Sequence, residues 1–138
     1  MRFMIIVKAT PDSEAGRMPS ESLMAAMAAY HQELAQAGVL LDANGLQPSA
    51  KGWRIRYADG RRTVVDGPFA ESKELIAGYT LIQVRSRDEA IAWASRCPAG
   101  DNEIIEVRQV QEMADFPPDV RAAAAGFEEI QRQSRGDV

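Results

Sequence analysis

The chain of 138 residues has one cysteine, Cys97, and one histidine, His31. A single thiol excludes an internal disulfide and a four-cysteine metal site, and it fits a reducing compartment. With one histidine and no close carboxylate pair on a shared helix face, no transition-metal site is expected. Phosphate-binding, dinucleotide-binding, nucleophile-elbow and zinc-helix signatures are also missing, so no cofactor is expected. Long hydrophobic runs are lacking: the apolar run at 3–7 is too short for a signal-peptide core or a membrane span. The expected setting is cytoplasmic, with no membrane partner. Lysine is scarce, 3 against 13 arginines, and the formal charge of -4 supplies no global pull toward nucleic acid. One basic stretch, "KGWRIRYADGRR", stands against this balance. Its arginines follow the arginine bias of the whole chain, and no nucleic-acid partner is expected.

What is present is a regular alternation of strand and helix signals. Residues 3–9 are nearly all apolar, which suits a strand covered on both faces, and 10–19 reads as a loop. Ser20 is placed to cap a helix over 20–37, in which Leu23, Met27, Tyr30 and Leu34 recur at helical spacing and which Gly38 stops. A strand follows, interrupted at Asn44 and Gly45. Trp53, Ile55 and Tyr57 alternate with Arg54 and Arg56, Asp59 and Gly60 form a two-residue hairpin turn, and "RRTVVD" returns. "LIAGYTLIQV" is a further strand. Ser86 and Glu89 form a capping box for a second helix, with Ala90, Ile91 and Ala94 inward, and "EIIEVRQV" is the last strand. Residues 118–133, after a proline pair, predict one helix whose apolar face docks, with Phe116, Phe127 and Ile130 available to pack on a partner subunit.

This order predicts an α+β fold of ferredoxin-like, split βαβ type, with an antiparallel sheet and an inserted β-hairpin. The domain spans 1–112, and 113–138 form a helical tail. Strands apolar on both faces need a cover for the face away from the helices, and a second copy's sheet is the simplest one, so a homodimer is expected.

The blocks "DGPFAESKE", "GYTLIQVRSRDEAIAWASRCP" and "IIEVRQV", preceded by "ELAQAGVLLDANGLQPS", resemble the YCII-related family, and within it the DGPF-domain group. The resemblance covers roughly residues 2 to 112. It implies a dimeric α+β barrel. Most members of the DGPF group have no assigned reaction. Other YCII-like proteins include cofactor-free ring-modifying enzymes built around a histidine and an aspartate, among them a dehydrochlorinase of chlorinated hydroxyquinols. DGPF genes also tend to lie beside genes for extracytoplasmic-function sigma factors, which implies sigma-factor-linked regulation. In the catalytic relatives the histidine lies near the start of the first helix. Here the matching position is near Met27, and His31 falls in the helix's second half.

Asp66 is the first candidate for chemistry. Counting back from the hairpin turn pairs it with Trp53, on a face with Ile55 and Val64, where a partly desolvated carboxylate suits a general base. The competing role is that of a turn aspartate accepting backbone N–H groups. Gly67 and Pro68 fix backbone shape. Phe69 caps a pocket or plugs the core, Lys73 is suited to an anionic substrate, and Trp53 and Tyr79 are pocket wall or core. His31, on the border of the helix's apolar stripe, is a possible proton relay or a hydrogen-bonded helix residue. Together these residues predict a binder of a small aromatic or anionic molecule, with cofactor-free elimination or isomerisation as its chemistry. The alternative is a non-catalytic interaction module linked to a sigma factor.

Overall fold

The computed structural model describes residues 1–71, 73–134 and 136. Strand β1 (Arg2–Lys8) leads through the short helix α1 (Pro11–Glu14) to α2 (Glu21–Gln36) and β2 (Leu40–Gly45). A 3-10 turn (Ser49–Lys51) precedes the hairpin strands β3 (Trp53–Ala58) and β4 (Arg61–Asp66). Then come β5 (Ile76–Gln83), α3 (Arg87–Ala94), β6 (Ile105–Gln109), a 3-10 turn (Met113–Asp115), α4 (Pro118–Ala123) and α5 (Gly126–Ser134).

The main sheet has the order β2-β5-β1-β6, all antiparallel, and β3-β4 forms a separate two-stranded sheet. With the hairpin set aside, this is the ferredoxin-like βαββαβ plan expected from the strand order. Ser20 caps α2 by accepting from the Leu23 N–H, and Gly38 stops it at φ +75°, the left-handed position that glycine occupies without strain. Asp59 and Gly60 both adopt positive φ, the geometry of a two-residue hairpin turn whose twist matches its strands.

The core lies between the sheet and α2 and α3. Phe3, Ile5, Ile82 and Val84 from the sheet meet Tyr30 and Leu34 of α2, Ala90 and Ala94 of α3, and Val39. Arg2, Met4, Ile6, Tyr79 and Leu81 alternate onto the opposite face of the sheet. Ile6 is buried there, while Met4, Tyr79 and Leu81 are half-buried. On this face Arg2 makes a bidentate pair with Glu112, at 2.7 and 3.0 Å, which ties the chain after β6 to the first strand.

Three expectations are corrected. The loop predicted at 10–19 contains α1, capped by Thr10 and Ser13 in reciprocal hydrogen bonds. Ile91, expected inward on the second helix, is 43% exposed, and Trp93 packs against the core instead. The tail is two helices rather than one. The break falls at Ala124 and Ala125, just before Gly126, a poor helix former, and Val120, Phe127 and Ile130 are exposed rather than docked on their own domain.

Candidate functional site

The hairpin register agrees with the count from its turn. Trp53 pairs with Asp66, Ile55 with Val64 and Tyr57 with Arg62, so these six share one face. Arg54, Arg56 and Arg61 lie on the other, which separates Arg62 from them. Both strands are exposed along their whole length. Asp66 is therefore solvated within the single chain, not desolvated as its apolar neighbours suggest, because no second layer covers the hairpin. Its carboxylate makes no hydrogen bond or ion pair with a described residue.

Directly after Asp66 the chain turns through a cis bond between Gly67 and Pro68. The Gly67 N–H donates to the Gly52 carbonyl at 3.0 Å. A Cβ at Gly67 would lie 1.8 Å from the Ser49 carbonyl oxygen, so the glycine is required by close backbone approach rather than by a positive φ. Ser49 anchors the turn. Its hydroxyl accepts from the Phe69 N–H at 3.1 Å and donates in a short hydrogen bond to Glu14, whose other carboxylate oxygen accepts from the Ser49 N–H at 3.1 Å. Phe69 is half-buried beneath Arg54, whose guanidinium stands 3.7 Å from the ring centroid and reaches Glu71 at 3.6 Å. Lys73 is exposed in the segment leading to β5. The motif thus joins α1, the 3-10 turn at Ser49–Lys51 and the hairpin, and Glu14 and Ser49 carry that joint without any sequence signal that marks them.

His31 lies elsewhere in the fold. It projects from α2 toward the helix face of the main sheet, with Nδ1 2.7 Å from the Met27 carbonyl oxygen and Nε2 2.8 Å from the Thr80 hydroxyl. A carbonyl only accepts, so Nδ1 carries a proton. In the neutral ring Nε2 therefore presents its lone pair to Thr80, whose hydroxyl donates. With both ring nitrogens engaged in this way, His31 and Asp66 do not hydrogen-bond to each other within the subunit. Thr80 is 5% exposed and was not singled out by sequence reasoning, although a hydroxyl on the apolar face of an alternating strand is the signal that marks it.

The His31–Thr80 pair lies at a boundary. On one side is the closed core of Tyr30, Leu34 and Ile82. On the other, the helix face continues through Gly78, with Gly45 beside it, and the α2 residues opposite, Met27 and Leu23, are only half-buried. Gly78 has no room for a side chain, since a Cβ would stand 3.0 Å from the Asn44 carbonyl oxygen. Tyr79, one residue on, faces the opposite side of the sheet, where its hydroxyl donates to Asp42 at 2.9 Å and accepts from Asn44 at 3.0 Å. It does not share a face with His31. Next to the pair, burial pushes the Tyr30 phenol well above the ordinary tyrosine range, with the Cys97 charge adding to the rise, and the hydroxyl donates to the Trp93 carbonyl at 2.8 Å. Among the described residues no group of three or more histidine, cysteine, aspartate or glutamate side chains is placed to hold a metal ion. No helix of the described residues is long and apolar enough to cross a membrane.

The chain is similar to an uncharacterized protein of Rhizobium meliloti, 36% identical over 74 residues, which are 54% of this chain and 60% of that relative. The match thus spans less than two thirds of the relative's length. Among solved structures it is similar to 5-chloro-2-hydroxyhydroquinone dehydrochlorinase from Burkholderia phenoliruptrix AC1100 in complex with 2,5-dihydroxybenzoquinone. That likeness has a TM-score of 0.41 at 16% identity and covers 85% of this chain and 100% of the other. The family model of the YCII-related domain matches residues 1–114, which takes in β1 through β6: the chain belongs to the YCII-related domain family.

Proposed function

We propose that the chain is a small-molecule-binding protein that works as a homodimer and acts, without a cofactor, on a small aromatic or anionic compound by proton abstraction leading to elimination or isomerisation. The observation that carries this reading is the fixed tautomer of His31. The Met27 carbonyl holds the Nδ1 proton, so Nε2 is the basic nitrogen. It lies where the packed core gives way to the half-buried end of α2 over Gly78 and Gly45. A ligand entering there displaces the Thr80 hydroxyl from Nε2 and loses a proton to it, and the resulting imidazolium keeps its bond to the Met27 carbonyl. The proton leaves to water or returns to a different ligand atom.

Asp66 is the second proton-handling group of the proposal, and Trp53, Gly67, Pro68, Phe69 and Lys73 form the rim. In support, α2 and β5 both begin at the end of the sheet where β1 finishes, and β5 begins just past the motif, where the Ala9 N–H donates to the Leu75 carbonyl at 2.9 Å. Lys73 and Arg54 bring positive charge to that rim for an anionic ligand. Tyr79 stands with Met4, Ile6 and Leu81 on the face assigned to the second subunit, whose apolar centre needs a cover.

The test uses the chain's lone histidine as a reporter. Catechol, hydroquinone and benzoate are titrated into the native protein, and the His31 ring resonances are followed by NMR. Binding that moves those resonances, and that is lost in His31→Gln with the fold intact, is the expected outcome. Ligand binding that leaves the ring unperturbed would sink the assignment. The competing reading, an interaction module tied to an extracytoplasmic-function sigma factor, draws on the exposed arginine face of the hairpin, Arg54, Arg56 and Arg61. It predicts sigma-factor capture that depends on those arginines and ignores His31.

A further inference from the structure

The hairpin is a two-stranded sheet with neither face covered, yet one face carries Trp53, Ile55, Tyr57 and Val64 at 63, 49, 68 and 63% exposure. An isolated hairpin of this kind is marginal in water, and an exposed aromatic-aliphatic face of this density marks a contact surface. The pattern of charge on that face says what the contact is. Reading along the strands, the three rows are Trp53 with Asp66, Ile55 with Val64, and Tyr57 with Arg62. A carboxylate stands at one end and a guanidinium at the other. The guanidinium is held over this face by its own Tyr57 ring, 5.3 Å from the centroid.

We propose that this face docks on the same face of a second copy, with the strands of the two hairpins antiparallel, so that Arg62 of each subunit meets Asp66 of the other. A two-fold axis lying between the hairpins and across the strands inverts the row order. It sets aromatic on aromatic, Trp53 against Tyr57, puts the Ile55–Val64 row on itself, and matches both charges with their opposites. The other two-fold stacking, with its axis along the strands, would press each carboxylate onto an indole face and leave it unpaired, which is costly when desolvated. The face is thus self-complementary in one arrangement only. The inference deepens the proposed site. Asp66, solvated in the single chain, becomes a covered carboxylate with the second copy's guanidinium beside it, so that the rim is incomplete in a lone subunit. It rests on the reading of Asp66 as a site residue only for that consequence and not for the contact itself.

Charge reversal tests it. Arg62→Asp and Asp66→Arg are each followed by sedimentation equilibrium, together with the double variant. Each single reversal is expected to raise the dimer dissociation constant roughly 100-fold, because two symmetry-related pairs become repulsive at once, and the double variant is expected to restore it. Bismaleimide crosslinking of Val64→Cys in a Cys97→Ser background is expected to yield a dimer, while Val65→Cys, on the opposite face, is not. A dimer indifferent to both single reversals, a native monomer, or equal crosslinking at Val64 and Val65 would overturn the proposal. The site reading fails separately, if Asp66→Asn leaves both catechol binding and turnover unchanged while the dimer persists.

Discussion

Gly67→Ala is the sharpest test of how the motif is built. The added Cβ would sit 1.8 Å from the Ser49 carbonyl oxygen and 2.7 Å from its carbon. Both are backbone atoms, so no side-chain rotation relieves the clash. The two segments must part by about 1 Å, which is overpacking of a kind that costs about 1–3 kcal/mol. Parting them also strains two hydrogen bonds, Gly67 N–H to the Gly52 carbonyl at 3.0 Å and Phe69 N–H to the Ser49 hydroxyl at 3.1 Å. At about 1 kcal/mol each, these bring the expected loss to about 3–5 kcal/mol, or a fall in melting temperature of about 10–20 °C for a domain of this size. Ser49→Ala serves as the companion. It removes the hydroxyl that bridges Glu14 and Phe69 but adds no atom, and it is expected to cost about 1–2 kcal/mol. Thermal and urea denaturation followed by circular dichroism supply both values. A Gly67→Ala protein melting within about 2 °C of the native one would show that the motif moves freely against the Ser49 turn, and the close-approach account would be wrong.

Three further outcomes are expected. The Tyr30 phenol is held above the ordinary tyrosine range by burial, so the folded chain keeps a proton that the unfolded chain releases near pH 10. Stability present below that pH is lost as pH rises, by about 1.4 kcal/mol per unit, and Tyr30→Phe is expected to flatten the decline in alkaline urea denaturation while costing about 1 kcal/mol at neutral pH through the unpaired Trp93 carbonyl. Burial, and secondarily Glu103, pushes the Cys97 thiol up, so alkylation of the native protein by iodoacetamide is expected to run well below that of the unfolded chain at mildly alkaline pH; equal rates would refute this. In the single chain, hydrogen exchange is expected to be fast along β3 and β4 and slow along β1 and β5, and protection of the hairpin equal to that of the main sheet would contradict its separate, uncovered state.

Much of the fold is legible because its signals are local. The Ser20 cap, the Gly38 stop and the Asp59–Gly60 turn each act within a few residues, and the turn alone fixes the pairing of Trp53 with Asp66, each six residues from the turn. Burial is not local. Alternation marks Trp53, Ile55 and Val64 as one apolar face, and the natural expectation is that such a face is covered; nothing in the stretch 53–66 reveals that the hairpin stands apart from the main sheet. That is why Asp66 is solvated in the single chain where desolvation was expected. The His31–Thr80 contact joins residues 49 positions apart, and only the register of β5 against β1, set by the whole sheet, brings the hydroxyl beneath α2. The tail fails for a different reason: its alanines favour a helix with little help from packing, so one glycine suffices to divide it.

The motif and the histidine divide the labour of the candidate site. The residues most distinctive in the sequence, Gly67, Pro68 and Phe69, hold no reactive atom. They set the path of the chain where the hairpin leaves the domain, and they do so through backbone contact with Ser49 and a carboxylate from α1. The chain's single imidazole, His31, is instead fixed by the main sheet and its own helix. Two hydrogen bonds hold His31 at the edge of the core, and the motif is held by close backbone approach and hydrogen bonds to the Ser49 turn. The hairpin forms no ladder with the main sheet, so the position of Asp66 depends on the turn at Gly67 rather than on the sheet that carries Thr80. The geometry at His31 is thus set by α2 against the main sheet, and the geometry at Asp66 by the joint between the hairpin and the Ser49 turn.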